Sequence, residues 1–213
     1  MSVEQVKQVV YDKKIIAICR NVPVDRIVDT GKALYEGGIR MMEVTFKAGH
    51  EEDTLESIRL LNREFEGKVL VGAGTVTTVE QVEQAAAAGA LYIISPNTDV
   101  DVIKKTKELG MLSMPGALTP SEIMTAWTAG ADIVKLFPAA EFGVKYIKAV
   151  RAPLAHIPMT AVGGVNQHNM KDFLDVGIVG FGIGSNIVDL KLINAGEYGR
   201  LTELAKEYTV QFE

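Results

Sequence analysis

An α/β fold of the (β/α)8 TIM-barrel type, preceded by a short N-terminal helix, is what this sequence predicts. Three observations predict it. Eight short apolar or β-branched runs recur at a spacing of roughly twenty residues, as successive βα units require. Segments carrying helix signals separate those runs. Glycine stands just ahead of strand after strand, where a helix has to stop.

The elements follow in order. Residues 1–14 are polar and amphipathic, which suits a helix ahead of the first strand. The strand candidates are Lys14–Arg20, Arg40–Phe46, Val69–Val76, Leu91–Pro96, Met111–Gly116, Ile133–Phe137, Pro158–Gly163 and Val179–Ser185. Thr78, ahead of Val79-Glu80-Gln81-Val82, reads as an N-cap whose hydroxyl accepts an orphan backbone N–H. Thr119-Pro120-Ser121-Glu122 places proline at the first helical position, where its missing N–H costs nothing. Asn166 opens Gln167–Asp175 in the same way. Gly37-Gly38, Gly89, Gly110, Gly130 and Gly177 mark helix ends. An open doubly wound sheet usually carries Gly-x-Gly-x-x-Gly after its first strand. Here that turn reads Arg20-Asn21-Val22-Pro23-Val24, without glycine, so a closed barrel is favoured.

Length and composition set the bounds. The 213 residues suit one domain, 1–213, with no low-complexity segment or linker to divide it. A net charge of −5 with no basic tract argues against nucleic acid as a partner. The first residues lack the apolar core of a secretion signal, and no run of about 18 apolar residues could span a membrane. Cys19 is the only cysteine, so no intrachain disulfide forms and a reducing cytoplasm fits. Within Ile15-Ile16-Ala17-Ile18-Cys19 it reads as a small buried side chain. His50, His156 and His168 share no ligand spacing, and no P-loop or dinucleotide motif occurs, so neither a metal nor a nucleotide cofactor is expected.

In a barrel, chemistry belongs at the carboxyl ends of the strands. Alternation along Ile133-Val134-Lys135-Leu136-Phe137 turns Val134 and Leu136 toward the outer helices and Lys135 inward. The same logic turns Glu43 inward if Met42, Val44 and Phe46 pack outside. Burial lowers a lysine pKa and gives a neutral amine able to attack a keto group, while a nearby carboxylate can shuttle protons. The plain alternative is a structural ion pair. Gly163-Gly164 and Gly184-Ser185, after the seventh and eighth strands, lie where barrels bind phosphate through backbone N–H groups. Arg20 closes the first strand, where its fork suits a carboxylate or phosphate, and Thr75 ends the third in Gly72-Ala73-Gly74-Thr75, whose two glycines leave room for close approach.

The ordered set Glu43-Val44-Thr45-Phe46, Gly72-Ala73-Gly74-Thr75-Val76, Ile94-Ser95-Pro96, Met114-Pro115-Gly116 and Val134-Lys135-Leu136-Phe137-Pro138, followed by Gly163-Gly164 and Gly184-Ser185, resembles one family. It is that of the 2-keto-3-deoxy-6-phosphogluconate (KDPG) and 4-hydroxy-2-oxoglutarate (KHG) aldolases. The similarity runs from about Lys14 to about Val188. It implies a Schiff base on Lys135, Glu43 as the general acid/base, and Thr75 and Pro96 shaping a pyruvate pocket. It further implies Phe137 beside the imine, Gly163, Gly164, Gly184 and Ser185 on the phosphate, and Arg20 facing the substrate. A metal-independent homotrimer acting on a phosphorylated keto acid and pyruvate goes with it.

Two departures matter. Many members carry Arg where this chain has Lys47, a point charge that cannot form the same bidentate pair with a carboxylate. Many phosphogluconate-type members carry Pro-Thr where this chain has Ala161-Val162, which looks more like the branch acting on the phosphogalactonate epimer. The reading is thus a class I aldolase for KDPG, with KHG as a further substrate and the galactonate epimer as an alternative. A phosphosugar isomerase or epimerase using Glu43 as base, and a non-catalytic phosphosugar binder, are the rival readings.

Overall fold

The computed structural model describes residues 1–212; Glu213, the last residue of the expected domain, lies outside them. The helix expected at the N-terminus is α1 (Val3–Lys13), begun by a reciprocal cap in which Ser2 and Gln5 each accept the other's backbone N–H. The first half of the chain then alternates β1 (Ile15–Cys19), α2 (Ile27–Glu36), β2 (Met41–Thr45), α3 (Glu51–Phe65), β3 (Leu70–Gly74), α4 (Val79–Ala87), β4 (Tyr92–Ile94) and α5 (Val100–Glu108). The second half runs β5 (Leu112–Met114), β6 (Gly116–Ala117), α6 (Pro120–Thr128), β7 (Val134–Leu136), α7 (Ala139–Arg151), β8 (Met159–Val162), α8 (Met170–Asp175), β9 (Gly180–Ile183), α9 (Leu190–Ala195) and α10 (Tyr198–Thr209).

All nine strand segments are parallel, in the order β5-β4-β3-β2-β1-β9-β8-β7-β6. The two ends of that order are neighbours in the chain, separated only by Pro115, so the sheet curls round into a barrel. The sequence reads Met111–Gly116 as one strand; the structure divides it. Proline has no N–H to give a ladder, and at Pro115 the chain changes partner. Leu112–Met114 pairs with β4, and Gly116–Ala117 pairs with β7. The Asp132 N–H to Ser113 O and Lys135 N–H to Pro115 O bonds, at 3.0 and 2.9 Å, hold the seam.

The expected caps at Thr78 and Thr119 are present, with Glu122 completing a reciprocal cap at Thr119. Gly38, Gly89, Gly110, Gly130 and Gly177 all adopt positive φ. Asn166 is a correction. Helix α8 starts at Met170, because Asn166 spends its side-chain oxygen on the His168 N–H while Asn169 accepts the Asn166 N–H. That local turn competes with the first helical turn and delays it.

Two apolar layers hold the barrel. The outer layer, between strands and helices, includes Met42, Val44, Phe46, Val134, Leu136 and Cys19. The inner layer includes Ile16, Met41, Leu70, Tyr92, Leu112 and Ile133, closed from the amino-terminal end by Val6 and Val10 of α1. The N-terminal helix is therefore a plug, and the Glu43 and Lys135 side chains face the open, carboxyl end of the interior. Within the inner layer Gly72 sits under the Tyr92 ring, which occupies the space a Cβ would need. Replacing Gly72 with alanine should destabilise the protein by roughly 1–3 kcal/mol through overpacking. The check is the midpoint of urea unfolding; an unchanged midpoint would show that the ring can move aside.

Candidate active site

At the carboxyl ends of the strands the barrel opens into a cavity of about 910 Å³. Its floor is Glu43 from β2 and Lys135 from β7. Arg20, Thr75, Pro96 and Phe137 form part of its wall, and Gly163, Gly164, Gly184 and Ser185 lie along the side fed by β8 and β9. All ten residues expected to act on the substrate or hold its phosphate thus line one cavity. Lys47 does not; it faces a separate pocket of about 200 Å³ beside α3.

Strand alternation delivers the floor. Met42 and Val44 pack outside, so Glu43 points in; Val134 and Leu136 do likewise for Lys135. Both are buried, at 3% and 7% relative exposure. Gly74, the register partner of Thr45, makes room for the carboxylate: a Cβ there would lie 2.5 Å from Glu43 Oε2. That oxygen has no hydrogen-bond partner. Among the described residues, Glu43 and Lys135 form no ion pair within 4 Å.

Electrostatics follow from that burial. Desolvation raises the Glu43 pKa, against the pull of Lys135 and Arg20. Desolvation lowers the Lys135 pKa, with Glu43 opposing and Arg20 assisting. Each group is thereby biased toward its neutral form. The Lys135 Nζ lies 5.1 Å from the Phe137 ring centroid, so one side of the amine is walled by an aromatic face. Cys19 is on the other side of β1, and burial first, then Glu43, pushes its thiol up to about 12. It is a packing residue, as its sequence context indicates.

Arg20 crosses over β2 to donate 3.0 Å to the Thr75 hydroxyl. Thr75 holds φ at 57°, a left-handed conformation that a β-branched residue rarely adopts. Such strain costs of order 1–3 kcal/mol and persists where the surroundings enforce it. At the opposite side, Gly163 and Gly164 also take positive φ, and a Cβ on Gly164 would come within 2.6 Å of the Ala140 side chain. Gly116 is required for a different reason, since the Pro96 carbonyl occupies the place of its Cβ.

Sequence reasoning passed over several lining residues, notably Asn186, Asp189 and Lys191. Asp189 caps α9 by accepting the Lys191 and Leu192 N–H groups, which its place before an apolar run could have signalled. Lys191 brings a cation to the glycine-lined side. Asn186 is tied to Tyr208, on a distant helix, and no local pattern announces that.

Comparison with known proteins bears on this arrangement. Residues 6–204 match the family model "Aldolase: KDPG and KHG aldolase". The 2-dehydro-3-deoxy-6-phosphogalactonate aldolase of Escherichia coli strain K12 is 36% identical over 174 residues, covering 81% of this chain and 83% of its own length. The 2-dehydro-3-deoxy-phosphogluconate aldolase of Dickeya dadantii is also 36% identical, over 185 residues, covering 86% of this chain and 85% of its own. A crystal structure of the KDPG aldolase of Legionella pneumophila, with pyruvate captured as a covalent carbinolamine intermediate, superposes with a TM-score of 0.86 at 28% identity. It covers 94% of this chain and 96% of that one.

The buried pair yields a stability test. Replacing two buried ionisable groups together by neutral ones of similar volume is often neutral or stabilising, whereas breaking a structural pair is costly. The double variant Lys135→Met/Glu43→Gln should be at least as stable as the parent in urea unfolding at neutral pH. A loss of more than about 3 kcal/mol would instead mark the pair as a structural element.

Proposed function

Because the chain belongs to the KDPG and KHG aldolase family and is therefore a carbon–carbon lyase, we propose that it cleaves KDPG reversibly to pyruvate and glyceraldehyde 3-phosphate through a Schiff base on Lys135. The observation that carries this reading is a buried amine, held below its ordinary pKa, on the floor of the cavity beside a buried carboxylate. The relative trapped as a pyruvate carbinolamine supports the same chemistry. Family membership favours carbon–carbon cleavage over isomerisation or binding alone.

The neutral Lys135 amine attacks the C2 keto carbon, and the protonated Glu43 carboxyl gives its proton to the carbinolamine hydroxyl, which leaves as water to give an iminium and a Glu43 carboxylate. The C3–C4 bond then breaks. Its electron pair moves toward the iminium nitrogen to form an enamine, while Glu43 takes the proton from the C4 hydroxyl as C4 becomes the aldehyde. Protonation of the enamine at C3 and hydrolysis of the iminium release pyruvate and restore the amine. Burial suits both groups: it favours the free amine on Lys135 and makes Glu43 an acceptor able to retain a proton. Arg20 and Thr75 hold the keto-acid end. Pro96 and Phe137 shape the pyruvate pocket, and Gly163, Gly164, Gly184 and Ser185 hold the phosphate with backbone N–H groups, Lys191 adding charge. A homotrimer in the cytoplasm completes the reading. No helix among the described residues is long and apolar enough to cross a membrane.

A second reading has its own observation. Val162, at the end of β8, lines the cavity with two methyl groups where a hydroxyl could have read a substrate oxygen. That favours the phosphogalactonate epimer, and KHG is the shorter substrate to set beside it.

Borohydride reduction in the presence of pyruvate should leave a stable adduct on the peptide containing Lys135, found by mass spectrometry, and Lys135→Ala should abolish it. The pH dependence has a definite sign. Trapping should accelerate as the amine loses its proton and level off below the ordinary lysine value of 10.5. Arg20→Gln should shift that plateau upward, because a neighbouring cation that disfavours the ammonium form has gone. A trapping rate still climbing at that value in the parent would refute a depressed amine. Turnover of the two phosphorylated epimers, measured side by side, should differ in kcat/KM; the galactonate reading predicts the larger value for that epimer and fails if the gluconate is preferred.

A further inference from the structure

The far side of the cavity is made of two loops that belong to different βα units. One follows β8 and contains Gly163, Gly164 and Val165; the other follows β9 and contains Gly184, Ser185 and Asn186. Glycine gives each loop freedom to present its N–H groups, and the same freedom lets the loops drift apart. A phosphate held jointly by both needs their separation fixed.

One side chain spans them. The Asn186 amide donates to the Val165 carbonyl at 3.3 Å and to the Tyr208 hydroxyl at 2.9 Å, both from Nδ2. The orientation of the amide is dictated by chemistry, since a carbonyl can only accept and the NH₂ group alone supplies two protons. An ionised aspartate at this position could accept from Tyr208 but could not bond the Val165 carbonyl, so the link between the loops would be lost. Tyr208 is only 2% exposed, anchored in the outer core layer by α10, so the network ends on a rigid base. Val165 is buried as well, at 4%. Asn186 therefore ties the β9 loop to the β8 loop and ties both to a helix that contributes nothing to the cavity floor.

We infer that Asn186 and Tyr208 are positioning residues that set the spacing of the two glycine loops, and that they thereby determine selectivity for phosphorylated over unphosphorylated 4-hydroxy-2-keto acids. The inference rests on the phosphate assignment above and deepens it. Neither residue needs to touch the reacting carbons. Their effect belongs in binding of the phosphorylated end, because a small misplacement of a binding group can cost one to two orders of magnitude.

The test compares Asn186→Ala and Tyr208→Phe with the parent on KDPG and on KHG, with inorganic phosphate as a competitive inhibitor. In Asn186→Ala the KM for KDPG and the inhibition constant of phosphate should rise together, roughly tenfold. The kcat for KDPG, the KM for KHG and pyruvate trapping on Lys135 should not follow. Tyr208→Phe keeps the ring and should show the same pattern in smaller degree, since the Val165 bond survives. An unchanged KM and inhibition constant in Asn186→Ala overturn the inference, as does an equal rise in KM for both substrates, which would signal general loosening. The failure of the underlying phosphate reading looks different: the parent itself would be insensitive to phosphate and would not discriminate between the two substrates. Thermal unfolding of each variant separates a folding defect from a loop-spacing defect, and Tyr208→Phe stands in if the alanine variant does not fold.

Discussion

The structure depends on keeping water away from two ionisable side chains without letting them neutralise each other by contact. Lys135 and Glu43 share the interior of an apolar barrel, near enough for each to shift the other's pKa but with no ion pair between them. A tight salt bridge would have restored the charged forms that desolvation disfavours and raised the lysine pKa. Separation leaves desolvation dominant in both. The rest of the barrel serves that condition. The α1 plug seals the amino-terminal end, Tyr92 fills the layer below over Gly72, and Gly74 gives the carboxylate a slot that any side chain at that position would occupy.

That arrangement is destabilising by itself, since a buried carboxylate oxygen without a partner costs about 1–3 kcal/mol, more when charged. The strained Thr75 backbone adds to the burden on the same end of the barrel. Compensation comes from elsewhere: a nearly continuous outer apolar layer, reciprocal caps on α1 and α6, and a parallel sheet whose two ends meet at Pro115. Two of these costly features, the unpartnered Glu43 oxygen and the Thr75 backbone, border the cavity, where a ligand can relieve them; the unpartnered hydroxyls of Thr30 and Tyr198 lie on outer helices.

Strands and their inward residues were legible because alternation is a local property. Whether Lys135 faces in or out is decided by Val134 and Leu136, its immediate neighbours, and needs no knowledge of the partner strand. Helix starts at Thr78 and Thr119 were legible for the same reason. The failures were of two kinds. At Pro115 the residue types are right for a strand, but the change of partner from β4 to β7 is decided by barrel closure, a global condition. At Asn166 the residue type is right for a cap, but its side chain and that of Asn169 are used within a turn ahead of the helix, and the sequence does not say that α8 starts only at Met170. The link between Asn186 and Tyr208 is another long-range pairing, 22 residues apart, joining a loop to a helix through one amide. Lys47 shows the reverse case. The family resemblance draws attention to position 47, yet the Lys47 side chain lines a different pocket here.

The cavity's two sides differ in how they achieve order, and the difference has a kinetic consequence. The side proposed to take the keto acid is fixed by short strands, a buried carboxylate and a strained threonine held to Arg20. The glycine side is organised by cross-links between loops, which is a weaker form of preorganisation. In the proposed reaction the bond that breaks lies between these two sides. In that reading the phosphate on the loops holds the far end of the substrate and is expressed as affinity, while the floor orients C2 and the C4 hydroxyl. Val162 lines the cavity next to Gly163. The galactonate reading uses this apolar residue as the loss of a hydrogen bond that could have read a substrate hydroxyl. Selectivity for the phosphorylated end is a separate matter in the proposed reaction, set by the spacing between the floor and the cross-linked glycine loops and hence by Asn186 and Tyr208.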